Sequence, residues 1–115
     1  MAAEHASSIG TLLPRSAIEI VLWSLLSISA GICEEIVFRG YFQRQFQAFA
    51  GSGLLAVLLQ AILFGISHGY QGVGATIRIA IFGALFGLLA MWRKSLRPGM
   101  IAHAWTDIFS GILGV

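Results

Sequence analysis

Apolar residues run along this chain in long segments, and what separates them is short, charged or rich in glycine. The first, AIEIVLWSLLSISAGIC (17–33), is interrupted only by Glu19 and is long enough to cross a bilayer. It runs without a breaker into EEIVFRGYFQRQFQAFA. There Phe38, Tyr41, Phe42, Phe46 and Phe49 alternate with Gln43, Arg44, Gln45 and Gln47. That amphipathic half suits an interface or a protein-lined surface. GSG at 51–53 ends it, and LLAVLLQAILFGISH (54–68) follows.

Beyond the glycine-rich GYQGVG, a third segment covers about 75–92 and carries Gly83 and Gly87, a GxxxG spacing that lets a neighbouring helix approach closely. RKSLRPG is the densest basic turn, and a last apolar segment spans 100–115. The pattern predicts an all-α, polytopic membrane bundle of about four core helices, with an amphipathic extension after the first. Residues 1–16 read as a tail and 17–115 as a single domain.

Composition agrees. The chain has 115 residues, 57% of them hydrophobic and 10% charged, against about a quarter charged in soluble domains. A net charge of +2 is spread over apolar segments and forms no nucleic-acid stripe. Arg93, Lys94 and Arg97, with Arg44, place the basic turn on the cytoplasmic side, although Arg15 and Arg78 pull the other way. The expected location is a multi-pass position in the plasma (inner) membrane. The single Cys33 reads as a small buried hydrophobe. The first residues, with Glu4 and His5, do not resemble a cleaved signal peptide.

Against this background the polar residues stand out. Glu35 and Arg39, Phe64 and His68, and His103 and Asp107 are each four apart, so each pair shares a helix face, and Gln60 lies one turn before Phe64. Unpaired at the bilayer centre, Glu34, Glu35, Arg39 and Asp107 would together cost roughly 10 kcal/mol. They must pair or line a wet cavity, and either draws their helices together. Ser24, Ser27 and Gly31 form a small-residue face leading to Glu34 that suits close helix packing.

A carboxylate and an imidazole sharing one water can activate it toward a carbonyl carbon. Glu34, His68 and His103 are also one carboxylate and two imidazoles, a donor set for a divalent metal such as zinc, but no HExxH fixes it. Ser24 and Ser27 lack a base at local helical spacing and are poor nucleophile candidates.

EEIVFR (34–39), FGISH (64–68) and HAWTD (103–107), in that order, resemble the EExxxR, FxxxH and Hxxx[Asn or Asp] motifs of one family. It is the CAAX-protease and bacteriocin-processing, or abortive-infection, family of intramembrane proteases, related to CAAX prenyl endopeptidases. The resemblance implies hydrolysis of a peptide bond in a membrane-associated substrate, either a prenylated CAAX-type chain or a leader peptide. It implies that Glu34 activates water with His68 as partner, that Glu35 with Arg39 supports the site, and that His103 with residue 107 stabilises the oxyanion. Members are described both as metalloproteases and as metal-independent glutamate proteases, and the metal-independent reading is favoured here. The bilayer and a peptide or protein are the implied partners.

Position 107 is Asp where this family often has asparagine, which removes an amide donor, and the chain is shorter than many relatives. If the chain turns back at GSG, Glu34 comes level with His68. His103 lies only about 7 Å of helix beyond the basic turn and falls short of that level in a simple ladder. Two other functions fit the same frame: a non-catalytic membrane immunity or partner-binding protein, and a proton or ion relay. No inverted repeat supports the relay.

Overall fold

The computed structural model describes residues 12–114, and every regular element among them is helical. The expected tail, 1–16, with Glu4 and His5, lies mostly outside the described residues. Helix α1 (Ala17–Glu34) passes into a π-helical segment (Glu35–Phe42) and then α2 (Gln43–Ala50). Together they form one 34-residue rod. Its start is capped twice. The Ser16 hydroxyl accepts the Glu19 N–H at 3.2 Å, and the Glu19 carboxylate accepts the Arg15 N–H at 3.0 Å. In the π segment the Gln43 N–H reaches back five residues to the Phe38 carbonyl.

Gly51, at φ 73°, closes the rod, and Ser52 caps α3 (Gly53–Ile66) by accepting the Leu55 N–H. A 3₁₀ turn (Gly69–Gln71) leads to α4 (Val73–Arg93), and Pro98 sits in the first turn of α5 (Arg97–Leu113). The four apolar segments thus become the rod and three further helices.

The rod is too long for one partner. Its C-terminal half packs on α3, which packs on α4, while its N-terminal half packs on α5. The Phe38 and Phe64 rings meet edge to face at 4.9 Å, the register that brings Glu34 level with His68 about the GSG turn. Gly83 and Gly87 do more than thin α4. Gly83 meets Ala61 and Phe64, and Gly87 meets Val57 and two glutamine side chains. The carbonyls of these glycines accept hydrogen bonds from Gln60 at 2.8 Å and Gln43 at 3.1 Å.

The packing is inside out relative to a soluble protein. Glu35, Arg39, Gln43, Gln60 and His103 are buried, while leucine, isoleucine and tryptophan side chains point outward along every helix. The rod and α4 are long and apolar enough to cross a membrane, and only 17% and 22% of their apolar windows are buried. Core helices of a soluble protein would be mostly covered. Cys33, expected to be buried, is exposed: it follows Ile32 on the outward side of the rod, where an apolar thiol faces lipid at little cost.

Close approach makes one glycine sensitive. A Cβ on Gly65 would stand 2.8 Å from the Thr76 carbonyl oxygen and 2.7 Å from the Ala80 Cβ. Gly65→Ala is expected to destabilise the bundle, because overpacking costs about 1–3 kcal/mol against the ~1 kcal/mol that alanine gains in helix propensity. Thermal unfolding in detergent micelles checks this, and an unchanged or higher Tm would refute it.

Candidate active site

Helix α5 begins at mid-rod, and this lifts His103 to the level of Glu34. Leu96 abuts Gly40, Gly99 abuts Glu35, and Gly31 lies against Met100 and Ala104, so small residues on both helices let α5 enter deep in the bundle. The deep basic turn closes the gap that a simple ladder leaves. Further out, Gly111 makes room for the Trp23 ring, whose Nε1–H donates to the Asp107 carbonyl at 2.9 Å. Ser27 and Gly31 are buried in this seam, as their small size suggests.

His103 is the centre of the polar cluster. Its Nδ1 lies 2.8 Å from Glu35 Oε2, and its Nε2 lies 3.3 Å from Glu34 Oε1 and 3.4 Å from Asp107 Oδ2. Carboxylates face both ring nitrogens, so a proton is assigned to each, with Nδ1 toward Glu35 and Nε2 toward the other two acids. Glu35 is fully buried, whereas the Glu34 and Asp107 side chains are 32% and 37% exposed. The two adjacent glutamates are therefore divided. Glu35 anchors the imidazole from behind, and Glu34 meets open space in front.

Arg39 stands behind Glu35, with Nη1 3.2 Å from Oε2. Its guanidinium carbon lies 4.2 Å from the Phe64 ring centroid and 5.3 Å from that of Phe86, so two aromatic rings hold the cation in a dry site. Among the described residues, no guanidinium nitrogen has an aligned hydrogen bond. Phe64 also packs edge-on against His68 and His103, and Phe86 stacks on His103 with rings 12° apart. Phe64 is thus the joint between the arginine, both histidines and the rod.

His68 lies just past the end of α3. Its Nδ1 is 2.8 Å from the Phe64 carbonyl, which can only accept, so in the neutral ring Nε2 keeps its lone pair. Residues 65–69, GISHG, match GxSxG by letter. They lie at a helix end rather than a strand-to-helix turn, and the Ser67 hydroxyl donates to the Phe64 carbonyl, so the nucleophile-elbow context is missing.

One cavity of about 300 Å³ collects these groups: Glu34, Phe64, His68, His103 and Asp107 all line it, with Phe86 and Trp23. Glu35 and Arg39 lie behind its wall. The contact made by Glu34 is with His103, where the motif resemblance paired it with His68; His68 shares the cavity instead. Phe86, Trp23 and Arg78 were not singled out as site residues from sequence. Phe86 carried a signal, since Gly83, Phe86, Gly87 and Ala90 make one buried helical stripe. Gln60 supports the helix packing below the site rather than the cavity.

Among the described residues, no three His, Cys, Asp or Glu side chains are grouped to hold an ion, Glu34, His68 and His103 included, and both His103 nitrogens already face carboxylates.

No curated protein and no solved structure matches the chain. A family model does, that of the type II CAAX prenyl endopeptidase Rce1-like proteins, over residues 16–109. The matched stretch includes both glutamates, Arg39, both cavity histidines and Asp107 as well as the helices that bring them together. By that match the chain belongs to the type II CAAX prenyl endopeptidase Rce1-like family of integral membrane proteases.

Proposed function

We propose that the chain is an intramembrane endopeptidase that hydrolyses a peptide bond in a membrane-associated substrate of the CAAX type. The observation that carries this is the sharing of one cavity by a partly open carboxylate, Glu34, and two imidazoles, backed by a buried Glu35–Arg39 pair. In this reading Glu34 takes a proton from water, and the His68 Nε2 lone pair orients that water. The oxygen attacks the carbonyl carbon, His103 Nε2–H donates to the developing oxyanion, and Glu34 returns its proton to the leaving amine. No step is assigned to a metal. The protein sits in the plasma (inner) membrane with several helices crossing it and the basic turn cytoplasmic, in keeping with the positive-inside bias.

Cleavage of prenylated and unprenylated peptides by purified protein, with and without a strong chelator, tests the reading. The expected result is cleavage that resists the chelator. Chelator-sensitive cleavage would overturn the metal-independent chemistry. Failure to cleave any such peptide would instead favour the immunity or partner-binding function.

Asp107 gives a sharper prediction. Asp107 Oδ2 lies 3.4 Å from His103 Nε2 and so competes with the oxyanion for its proton. Asp107→Asn removes the competitor and adds an amide donor. It is expected to raise kcat, by up to about tenfold, less than the 10²–10³ that a fully aimed oxyanion donor supplies. A fall in kcat at unchanged Tm would show that the acid itself takes part.

A further inference from the structure

A second groove, of about 520 Å³, runs between α1 and α5 and shares no lining residue with the cavity that holds Glu34 and His103. Its walls are Ile28 and Ile32 on α1 and Ile101, Ala104, Trp105 and Ile108 on α5. By helical period these lie across each helix from Ser27 and Glu34 and from His103 and Asp107, so the groove opens on the other side of the seam. Arg97 begins the same α5 stripe and, among the described residues, is the one charged group that lines the groove. It is exposed, and among the described residues no acid pairs with it. Arg93 and Lys94 stand in the same turn, and the sequence holds no Asp or Glu between Glu35 and Asp107. The groove is thus an apolar slot with an uncompensated cation at its mouth.

We propose that this groove seats an acyl chain of an anionic phospholipid whose phosphate is held by Arg97, so that the lipid clamps α5 against α1. From Arg97 to Ile108 the slot runs about 16 Å along the helix axis, which matches the ~15 Å depth of one leaflet in a hydrocarbon core of ~30 Å. The headgroup then sits at the basic turn, and basic pockets between transmembrane helices suit anionic headgroups. A guanidinium fork matches a phosphate and keeps its charge beside apolar walls, and the first turn of a helix favours an anion. A second copy related by a two-fold axis along the bilayer normal would instead bring its own Arg97 to the same level, setting like charges against each other. The clamp bears on the site because α1 carries Glu34 and α5 carries His103, and their seam already holds Gly31 against Met100 and Ala104. The assignment needs insertion in a membrane but no step of the hydrolysis.

The test uses phosphatidylglycerol and phosphatidylcholine with brominated acyl chains, titrated into protein in a neutral detergent, with tryptophan quenching as the readout. Trp92→Phe serves as the background, because Trp92 is 74% exposed and would report bulk lipid, whereas Trp105 lines the groove. Phosphatidylglycerol is expected to quench saturably at a mole fraction roughly fivefold to thirtyfold lower than phosphatidylcholine, the scale of one or two cations facing a net negative lipid. Adding Trp105→Phe should abolish the saturable part, which locates the chain in the groove. Arg97→Gln should lose the preference, Arg97→Lys should keep part of it, and Arg93→Gln, outside the groove, should keep most. Unfolding temperatures without added phospholipid should be the same in these variants, which separates lost binding from lost folding. Equal quenching by the two lipids in the background protein, an undiminished preference in Arg97→Gln, or saturable quenching that survives Trp105→Phe overturns the assignment. Reversal of the quenching by a farnesylated peptide would give the groove to a substrate tail, and quenching that fades as the protein-to-detergent ratio rises would give it to a second copy; either result also overturns it.

Discussion

Glu34→Gln is expected to lower single-turnover cleavage by about 10²–10⁴, the usual worth of a positioned general base, while leaving the bundle folded. The amide keeps the shape of the side chain and can still contact His103, but it cannot take the proton from water. Glu34 is the substitution to choose because its side chain is partly open to the cavity and its buried partner His103 keeps Glu35 and Asp107. Unfolding temperature should therefore move little. The same change at Glu35 removes charge from a fully buried residue that holds both Arg39 and His103, and should act on stability first. The two neighbouring glutamates thus separate into a kinetic and a structural phenotype. Cleavage by Glu34→Gln within tenfold of the parent would rule out Glu34 as the base and turn attention to His68.

This division was only partly legible in the sequence. Spacing of four paired Glu35 with Arg39 and left Glu34 over, and the structure keeps that pairing. The hairpin register followed from the short GSG turn, which gives two helices little choice of alignment, and Phe38 against Phe64 shows it. What could not be read was the reach of His103 to both glutamates. That depends on where α5 enters the bundle, which is decided by contacts of Gly31, Gly40 and Gly99 with residues some 56 to 73 positions away in sequence. No local pattern encodes such a pairing.

The π segment was hidden for another reason. Glu35–Phe42 keeps the apolar and polar spacing of an ordinary helix, and the shift to five-residue hydrogen bonds is a backbone event with no composition of its own. Its position matters, because it begins at Glu35 and carries Arg39, and π-helical stretches recur at functional sites. Cys33 failed for a simpler reason. The rule that apolar residues go inside assumes water outside, and here the outward face of the rod is itself apolar.

Arg39→Met should have the largest effect on stability. The Arg39 side chain is 0% exposed, its guanidinium lies against the Phe64 and Phe86 rings, and it contacts the equally buried Glu35 carboxylate. Removing one partner of a buried pair typically costs 3–5 kcal/mol, and here Glu35 would lose its arginine and keep only His103. Methionine fills much of the volume and suits the aromatic contacts, so little of that loss would come from a cavity. The cause can be isolated by adding Glu35→Gln, which removes the stranded charge yet still offers His103 Nδ1 an acceptor. The double variant should recover a large share of the stability lost in Arg39→Met while cleaving poorly, since a neutral residue 35 holds the imidazole less firmly. Unfolding in detergent micelles of the parent, both single variants and the double variant gives the coupling energy directly. A loss in Arg39→Met that is the same with glutamate or glutamine at 35 would mean that the arginine acts through its aromatic neighbours alone. The ion pair would then have no part in holding Glu35, and through it His103, at the back of the cavity.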